Sequence, residues 1–163
     1  TIDPAFINRN FERPVTDDLF DGLEKDIVAV FEKTGNDFAK HLENNAADYD
    51  LETLVSDAFD LLAKYAVGCL FIEKNQFDFK FLADNYRVYR KKFFETMKQY
   101  LAAFIESGKV RPLEQIELST MLIIEILSWW AMDIRYTSFE TQDISPELAK
   151  KVCIDNILSA YKA

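Results

Sequence analysis

Apolar residues recur every three or four positions over most of the chain, which is the spacing of amphipathic helices. The first such stripe comprises Leu19, Phe20, Leu23, Ile27, Val30, Phe31, Phe38 and Leu42. Further stripes follow over residues 51–70 and 89–105. The pattern predicts an all-α fold, an orthogonal array of about five or six helices.

Residues that favour helix ends separate these stripes. Asp50 stands just before the second stripe and is expected to cap its helix, while Gly108 provides a C-terminal stop. Pro112 is placed to begin the next helix, because proline is favoured at the first helical position. Ser145 and Pro146 together predict the start of a last helix.

The helix predicted over residues 113–137 is apolar on nearly every side. Because such a helix must be covered all round, and one small domain covers one side, we expect a second copy on the other. The helices over 113–137 and 145–162 are therefore predicted to form a four-helix-bundle homodimer interface. The candidate interface residues are Ile116, Leu118, Met121, Ile123, Ile124, Leu127, Trp130, Leu148, Val152, Ile154, Ile157, Leu158 and Tyr161.

The 163 residues fit a single domain, and their net charge of −9 argues against a nucleic-acid surface formed by the chain as a whole. Residues 16–60 carry 13 acids against 3 bases, whereas residues 74–111 carry 9 bases against 4 acids. The cluster Arg87, Arg90, Lys91 and Lys92 is either a basic docking face or part of a solvated helix surface.

Groups that would support catalysis are scarce. His41 is the only histidine, and the two cysteines form no Cys-x-x-Cys pair, so we expect no enzyme, metal site or cofactor. Asp17, Asp18 and Asp21 spell a DDxxD pattern, but acids are favoured at a helix start by the helix dipole alone. Reduced cysteines and the lack of a long apolar run predict a cytoplasmic protein with no membrane partner.

Three stretches resemble the C-terminal regulatory domain of tetracycline-repressor-type (TetR-family) transcriptional regulators. Residues 16–23 resemble the acidic-Leu-Phe entry into the helix that follows the DNA-binding head. Residues 104–112 resemble the family's helix–Gly–basic corner, and the final two predicted helices resemble its dimerisation pair. The resemblance covers about residues 16–163.

This resemblance implies the division of the chain and its partners. Family members begin with a head that carries a helix-turn-helix, and no complete head is present here. Residues 1–15 are therefore expected to be a disordered tag or the remnant of a removed head, and residues 16–163 a regulatory domain. The implied partners are a second copy, a small apolar ligand, and DNA only through the missing head.

A ligand-sensing function requires a pocket among the helices. The candidate ligand-binding residues are Phe59, Leu62, Tyr65, Phe93, Met97, Tyr100 and Trp129. Aromatic rings and methionine suit a loose apolar cavity, and tyrosine hydroxyls can orient a ligand. The same residues can equally be plain core, and the alternative function is a helical dimerisation or protein-interaction module without a ligand.

The isolated chain is predicted to bind DNA no better than non-specifically, because its net charge is −9 and it offers no complete helix-turn-helix to a groove. A gel-shift assay at physiological salt measures this. Sequence-selective binding with a nanomolar Kd would contradict the prediction.

Overall fold

The computed structural model describes residues 17–138 and 144–163, without the side chains of residues 17–21 and Leu23. In these residues the helices are α1 (Asp17–Ala39), α2 (Leu51–Lys74), α3 (Lys80–Glu106), α4 (Ile116–Ser128) and α5 (Pro146–Tyr161). The all-α prediction is confirmed. The predicted tag or remnant over residues 1–15 lies outside the described residues.

Side-chain caps begin two of the helices, and a glycine ends a third, at the residues that the sequence predicted. The Asp50 carboxylate accepts a hydrogen bond from the Thr53 amide at 2.8 Å, and the Ser145 hydroxyl accepts one from the Leu148 amide at 3.2 Å. Gly108 has a φ of 72°, the left-handed conformation that ends a helix and that glycine adopts without strain. These caps are local features, so the sequence alone was enough to place them.

The start predicted at Pro112 is wrong, because α4 begins at Ile116. The segment before it is held extended by the end of α5. Val110 forms an isolated antiparallel bridge with Lys162, and the Arg111 amide donates to the Tyr161 carbonyl at 3.0 Å. Because this pairing keeps residues 110 and 111 extended, the helix starts only after Pro112.

The centre of the fold is α2, which packs against α3, α4 and α5. Its buried residues include Leu54, Val55 and Ala58, none of which exposes measurable surface. After α4 the chain makes a π-helical turn, Trp129–Asp133, and a last helical turn, Ile134–Tyr136. The π turn also packs against α2 and α5, so the predicted continuous helix over 113–137 is shorter and changes geometry at its end.

A row of aromatic rings joins α1 to α3. Phe31 stacks on Tyr89 with ring centres 4.9 Å apart, and Phe38 packs against Phe93 at 5.1 Å. The Tyr100 hydroxyl donates a hydrogen bond to the Phe38 carbonyl at 2.6 Å, near the end of α1. As a result α1 packs mainly along α3 and makes few contacts with α2.

The loop between α1 and α2 is held by one lysine. Asn45 and Ala46 both have positive φ, and the turn directs several carbonyl groups towards the corner after α3. There Lys109 Nζ donates to the carbonyls of Ala46, Ala47 and Tyr49, at 3.1, 3.0 and 2.7 Å. The ammonium group therefore donates hydrogen bonds to three carbonyls of the loop, which lie outside the helical hydrogen-bond pattern.

Replacing Lys109 by Met should lower the free energy of unfolding by about 2 kcal/mol, because partly buried carbonyls lose a charged donor. Urea unfolding followed by circular dichroism measures the change. Lys151→Met is the control, since Lys151 pairs with Asp155 on the exposed surface of α5 and such pairs contribute about 0.3–0.5 kcal/mol. Equal losses in the two variants would contradict the role of Lys109.

Candidate functional site

An apolar groove of about 580 Å³ lies between the first half of α1 and the second half of α2, with the start of α3 at one end. It exists because α1 follows α3 and leaves α2 uncovered on this side. We refer to this space as the groove. Its lining residues are Glu24, Asp26, Ile27, Val30, Phe31, Lys64, Tyr65, Val67, Gly68, Cys69, Phe71, Ile72, Phe79 and Leu82.

Gly68 lies in the interior of α2 and opens the wall of the groove. A Cβ atom built on it would meet no atom within 4 Å, so no neighbouring group requires a glycine there. Glycine at such a position costs about 1 kcal/mol relative to alanine. Its one visible consequence is that the α2 backbone can be approached closely from inside the groove.

The rim of the groove exposes large apolar side chains. Val67 is 63% exposed, Phe71 is 48% exposed, and Val30 on the opposite wall is 41% exposed. A ring of this kind around a concave space is typical of ligand-binding clefts. A ligand bound in the groove would therefore bury its own apolar surface and the apolar side chains of the rim at the same time.

A smaller space of about 20 Å³, the inner cavity, adjoins the groove. Val30, Phe31, Tyr65 and Cys69 line both spaces. The other residues around the inner cavity are Thr34, Leu61, Leu62, Tyr86, Tyr89, Arg90 and Phe93. Its volume fits about one water molecule, so in this conformation a larger ligand does not fit in the inner cavity.

The structure divides the seven candidate ligand-binding residues. Tyr65 lines the groove, and Leu62 and Phe93 reach only the inner cavity. The remaining four line neither space, and their role in ligand binding stays a prediction. Phe59, Met97 and Tyr100 are buried in the core, where α2 and α3 pack closely, and Trp129 is 41% exposed on the outer side of the π turn.

Most of the groove was not found from the sequence. Val67 and Phe71 depart from the buried stripe of α2, and Gly68 interrupts its helix-forming residues. The displaced apolar residues and the glycine together indicate an apolar side of α2 that no other helix covers. Ile27 and Phe31 were recognised as part of the α1 stripe, but their position beside α2 follows from the packing of α1 on α3.

The two cysteines are free and buried. Burial raises the pKa of Cys69, and it raises the pKa of Cys153 to about 11. Both side chains are therefore thiols at neutral pH and poor nucleophiles. Cys69 contributes apolar surface to the groove and no reactive group.

The basic cluster on α3 is largely engaged within the protein. Arg87 donates to Asp84 at 2.6 Å and to Gln76 at 2.8 Å, while Lys92 donates to Asn36 at 2.7 Å. These contacts favour the solvated-surface interpretation over a docking face for this part of the cluster. The side chains of the acidic cluster at the start of α1 lie outside the described residues.

Arg90 connects the inner cavity to α4. One guanidinium nitrogen donates to the Ser128 hydroxyl at 3.4 Å, and another lies 3.8 Å from a Glu125 carboxylate oxygen. Ser128 is buried and is followed directly by the π turn, whereas the Glu125 side chain is 70% exposed. A single side chain thus touches both the aromatic interior and the outer surface of α4.

The outer surface of α4 is an apolar stripe, which we call the outer α4 stripe. It consists of Leu118, Met121, Leu122, Ile126 and Trp129, between 37% and 59% exposed. The spacing places them on one side of the helix. On α5, Leu148 and Val152 are also exposed, at 54% and 42%.

The candidate interface residues fall into three groups. Leu118, Met121, Leu148 and Val152 are exposed, and Ile116, Trp130, Ile154, Leu158 and Tyr161 are half-buried. Ile123, Ile124, Leu127 and Ile157 are buried in the core of their own chain and expose no surface to a partner in this conformation. Leu122, Ile126, Trp129 and Tyr136 are exposed and lie outside the predicted interface set, because an all-round apolar sequence does not show which side the core covers.

His41 stacks on the ring of Tyr49 with centres 4.2 Å apart, and its Nδ1 atom lies 3.8 Å from an Asp48 oxygen.

Within residues 17–138 and 144–163, no group of three or more His, Cys, Asp or Glu side chains is placed to hold a metal ion. In the same residues, no helix has the length and apolar character needed to cross a bilayer.

Comparison with protein-family models, with curated proteins and with solved structures finds no match for this chain.

Proposed function

We propose that this chain is the effector-sensing and dimerisation domain of a TetR-like transcriptional regulator. It binds a small apolar or amphipathic molecule in the groove, and binding alters the spacing of attached DNA-binding heads. The observation that carries the proposal is the groove, an uncovered apolar space beside the helix that would continue from such a head.

The size and lining of the groove fit a small ligand. About 580 Å³ lies within the usual range for ligand clefts, roughly 300–1,000 Å³. Most of the described lining residues are apolar, and the polar side chains among them are Glu24, Asp26, Lys64 and Tyr65. Burial of a chain of methylene groups contributes about 0.8 kcal/mol for each group, so shape and length dominate the affinity.

A second copy is the occupant proposed for the outer α4 stripe. With Tyr136, Leu148 and Val152, the second half of the described chain exposes eight large apolar side chains, which is typical of a surface that another protein covers. A chain of net charge −9 repels its copy through most surfaces. The stripe lessens this repulsion, because the acids beside it, Glu125 and Glu117, lie near Arg90 and Lys98, which partly neutralise them.

Arg90 supports a route from the groove to the dimer. A ligand that displaces Phe31 also disturbs its partners Tyr86 and Tyr89, which line the inner cavity with Arg90. Movement of the guanidinium changes its contacts with α4 beside the outer stripe. The ligand shifts the arrangement only if it binds the two states with different affinities.

The alternative is a ligand-free protein-interaction module. The exposed aromatic rings of Phe77, at 91%, and Phe81, at 51%, favour this function, because they lie outside the groove and offer apolar surface to a partner. The two functions differ in what the groove does. A module without a ligand is insensitive to filling of the groove.

Filling the groove by Gly68→Leu should weaken binding of the neutral apolar probe N-phenylnaphthylamine at least tenfold, because the new side chain occupies the ligand's space. Probe fluorescence measures the Kd. Gly22→Leu is the matched control, since Gly22 is also inside a helix, has open space around its Cβ position and does not line the groove. Neither variant should lower the free energy of unfolding, and each should raise it by up to about 0.7 kcal/mol.

Two results would contradict the ligand-binding proposal. One is the absence of probe binding to the unchanged protein at micromolar concentrations. The other is equal probe affinity in the Gly68→Leu and Gly22→Leu variants, which would place the probe elsewhere on the surface.

The protein is expected to be a dimer at low micromolar concentration, and Leu122→Glu should convert it to a folded monomer. A charge in the outer α4 stripe must be desolvated for dimerisation, whereas in the monomer it remains in water. Sedimentation equilibrium measures the mass, and Val88→Glu, on the exposed surface of α3, is the control. A monomeric unchanged protein, or a dimeric Leu122→Glu variant, would refute this interface.

A further inference from the structure

One end of the groove presents an ammonium group and a phenol hydroxyl. Lys64 and Tyr65 line the groove there, and Lys64 Nζ lies 5.1 Å from the centre of the Tyr65 ring. The same two residues line a neighbouring shallow pocket with Asp37, Asp57 and Asp60, of which Asp57 bonds to Tyr49 and Asp60 pairs with Lys150. Thr34 from α1 lines the inner cavity together with Tyr65, and Lys33 precedes it in the chain. Among the described residues, Lys64 forms no ion pair with a carboxylate.

The surroundings of Tyr65 favour a negatively charged oxygen at this position. Hydrogen bonding with Thr34 is the largest cause that lowers the pKa of Tyr65, and the hydrogen bond and charge of Lys64 and the charge of Lys33 act in the same direction. Partial burial opposes them. A position that favours a phenolate oxygen also favours the oxygen of a bound anion, because the same donors and charges act on both.

The other charged residues of the groove lie well away from this end. Glu24 and Asp26 are on α1, ten and eight residues before Thr34, which corresponds to roughly 12–15 Å along the helix. Between these ends the walls are apolar, with Val30, Val67 and Gly68 among them. Among the described residues that line the groove, Lys64 therefore lies at one end, apolar side chains lie in the middle, and Glu24 and Asp26 lie at the other end.

We propose that the groove binds an anionic amphiphile, a molecule with an unbranched apolar chain and a single carboxylate head. The head accepts hydrogen bonds from the Lys64 ammonium and the Tyr65 hydroxyl, and the chain passes the exposed backbone at Gly68 towards Phe79. This assignment rests on the proposed ligand-binding function and specifies its ligand. Charge selects the direction in which the chain lies, and the apolar walls provide most of the affinity.

The experiment compares three probes that share one chain and differ in the head: dodecanoate, dodecanol and dodecylammonium. Each is titrated against the full chain by calorimetry, below its micellar concentration. Dodecanoate is expected to bind about tenfold more tightly than dodecanol, which corresponds to one charge-assisted hydrogen bond. Dodecylammonium is expected to bind more weakly than dodecanoate.

Lys64→Gln tests the position of the head. It should lower the affinity for dodecanoate about tenfold and leave the affinity for dodecanol unchanged. Lys74→Gln is the control, because it removes the same charge from the same helix at a residue outside the groove. It should leave both affinities unchanged, which separates a local contact from a change in net charge.

The outcomes distinguish this inference from the proposed function. Equal affinity for dodecanoate and dodecanol, tightest binding of dodecylammonium, or equal effects of the two lysine variants would overturn the anionic head while leaving a ligand groove in place. If none of the three probes binds, the proposed ligand-binding function fails as well.

Discussion

The aromatic row between α1 and α3 sets the spacing on which both the groove and the inner cavity depend. Phe31 and Phe38 place α1 along α3, and the Tyr100 hydroxyl fixes the end of α1 through its 2.6 Å hydrogen bond to the Phe38 carbonyl. With α1 held there, it cannot close on α2, so the second half of α2 keeps one uncovered apolar side. Stacked rings of this kind add about 0.5–1.5 kcal/mol per pair beyond their burial.

The groove and the outer α4 stripe lie on different helices and differ in shape and polarity. The groove is concave and polar at its ends, whereas the stripe is a helix surface with Glu117 and Glu125 beside it. Arg90 lies between the two regions, because it lines the inner cavity that adjoins the groove and contacts Ser128 and Glu125 of α4. Its contact with α4 falls immediately before the π turn, a local geometry that often accompanies functional sites.

Sequence periodicity did not separate core positions from uncovered positions, for a physical reason. An apolar residue on a helix gives the same sequence pattern whether its own core, a ligand or a second copy covers it. The reason is that periodicity shows which residues share a helix face and does not show what packs against that face. Ile123 and Leu122 are adjacent and equally apolar, yet the first is fully buried and the second is 59% exposed. Tyr65 and Tyr100 differ in the same way, since only Tyr65 reaches the groove.

The sequence by itself determined the all-helical class, the order of the helices and the caps at Asp50, Ser145 and Gly108, because these depend on hydrogen bonds and spacing within a few residues. Only the tertiary structure decided where α4 begins and which side of each helix remains uncovered. The pairing of Val110 with Lys162 delays α4, and the packing of α1 on α3 opens the groove. Both depend on contacts between residues far apart in the chain, which local periodicity does not encode.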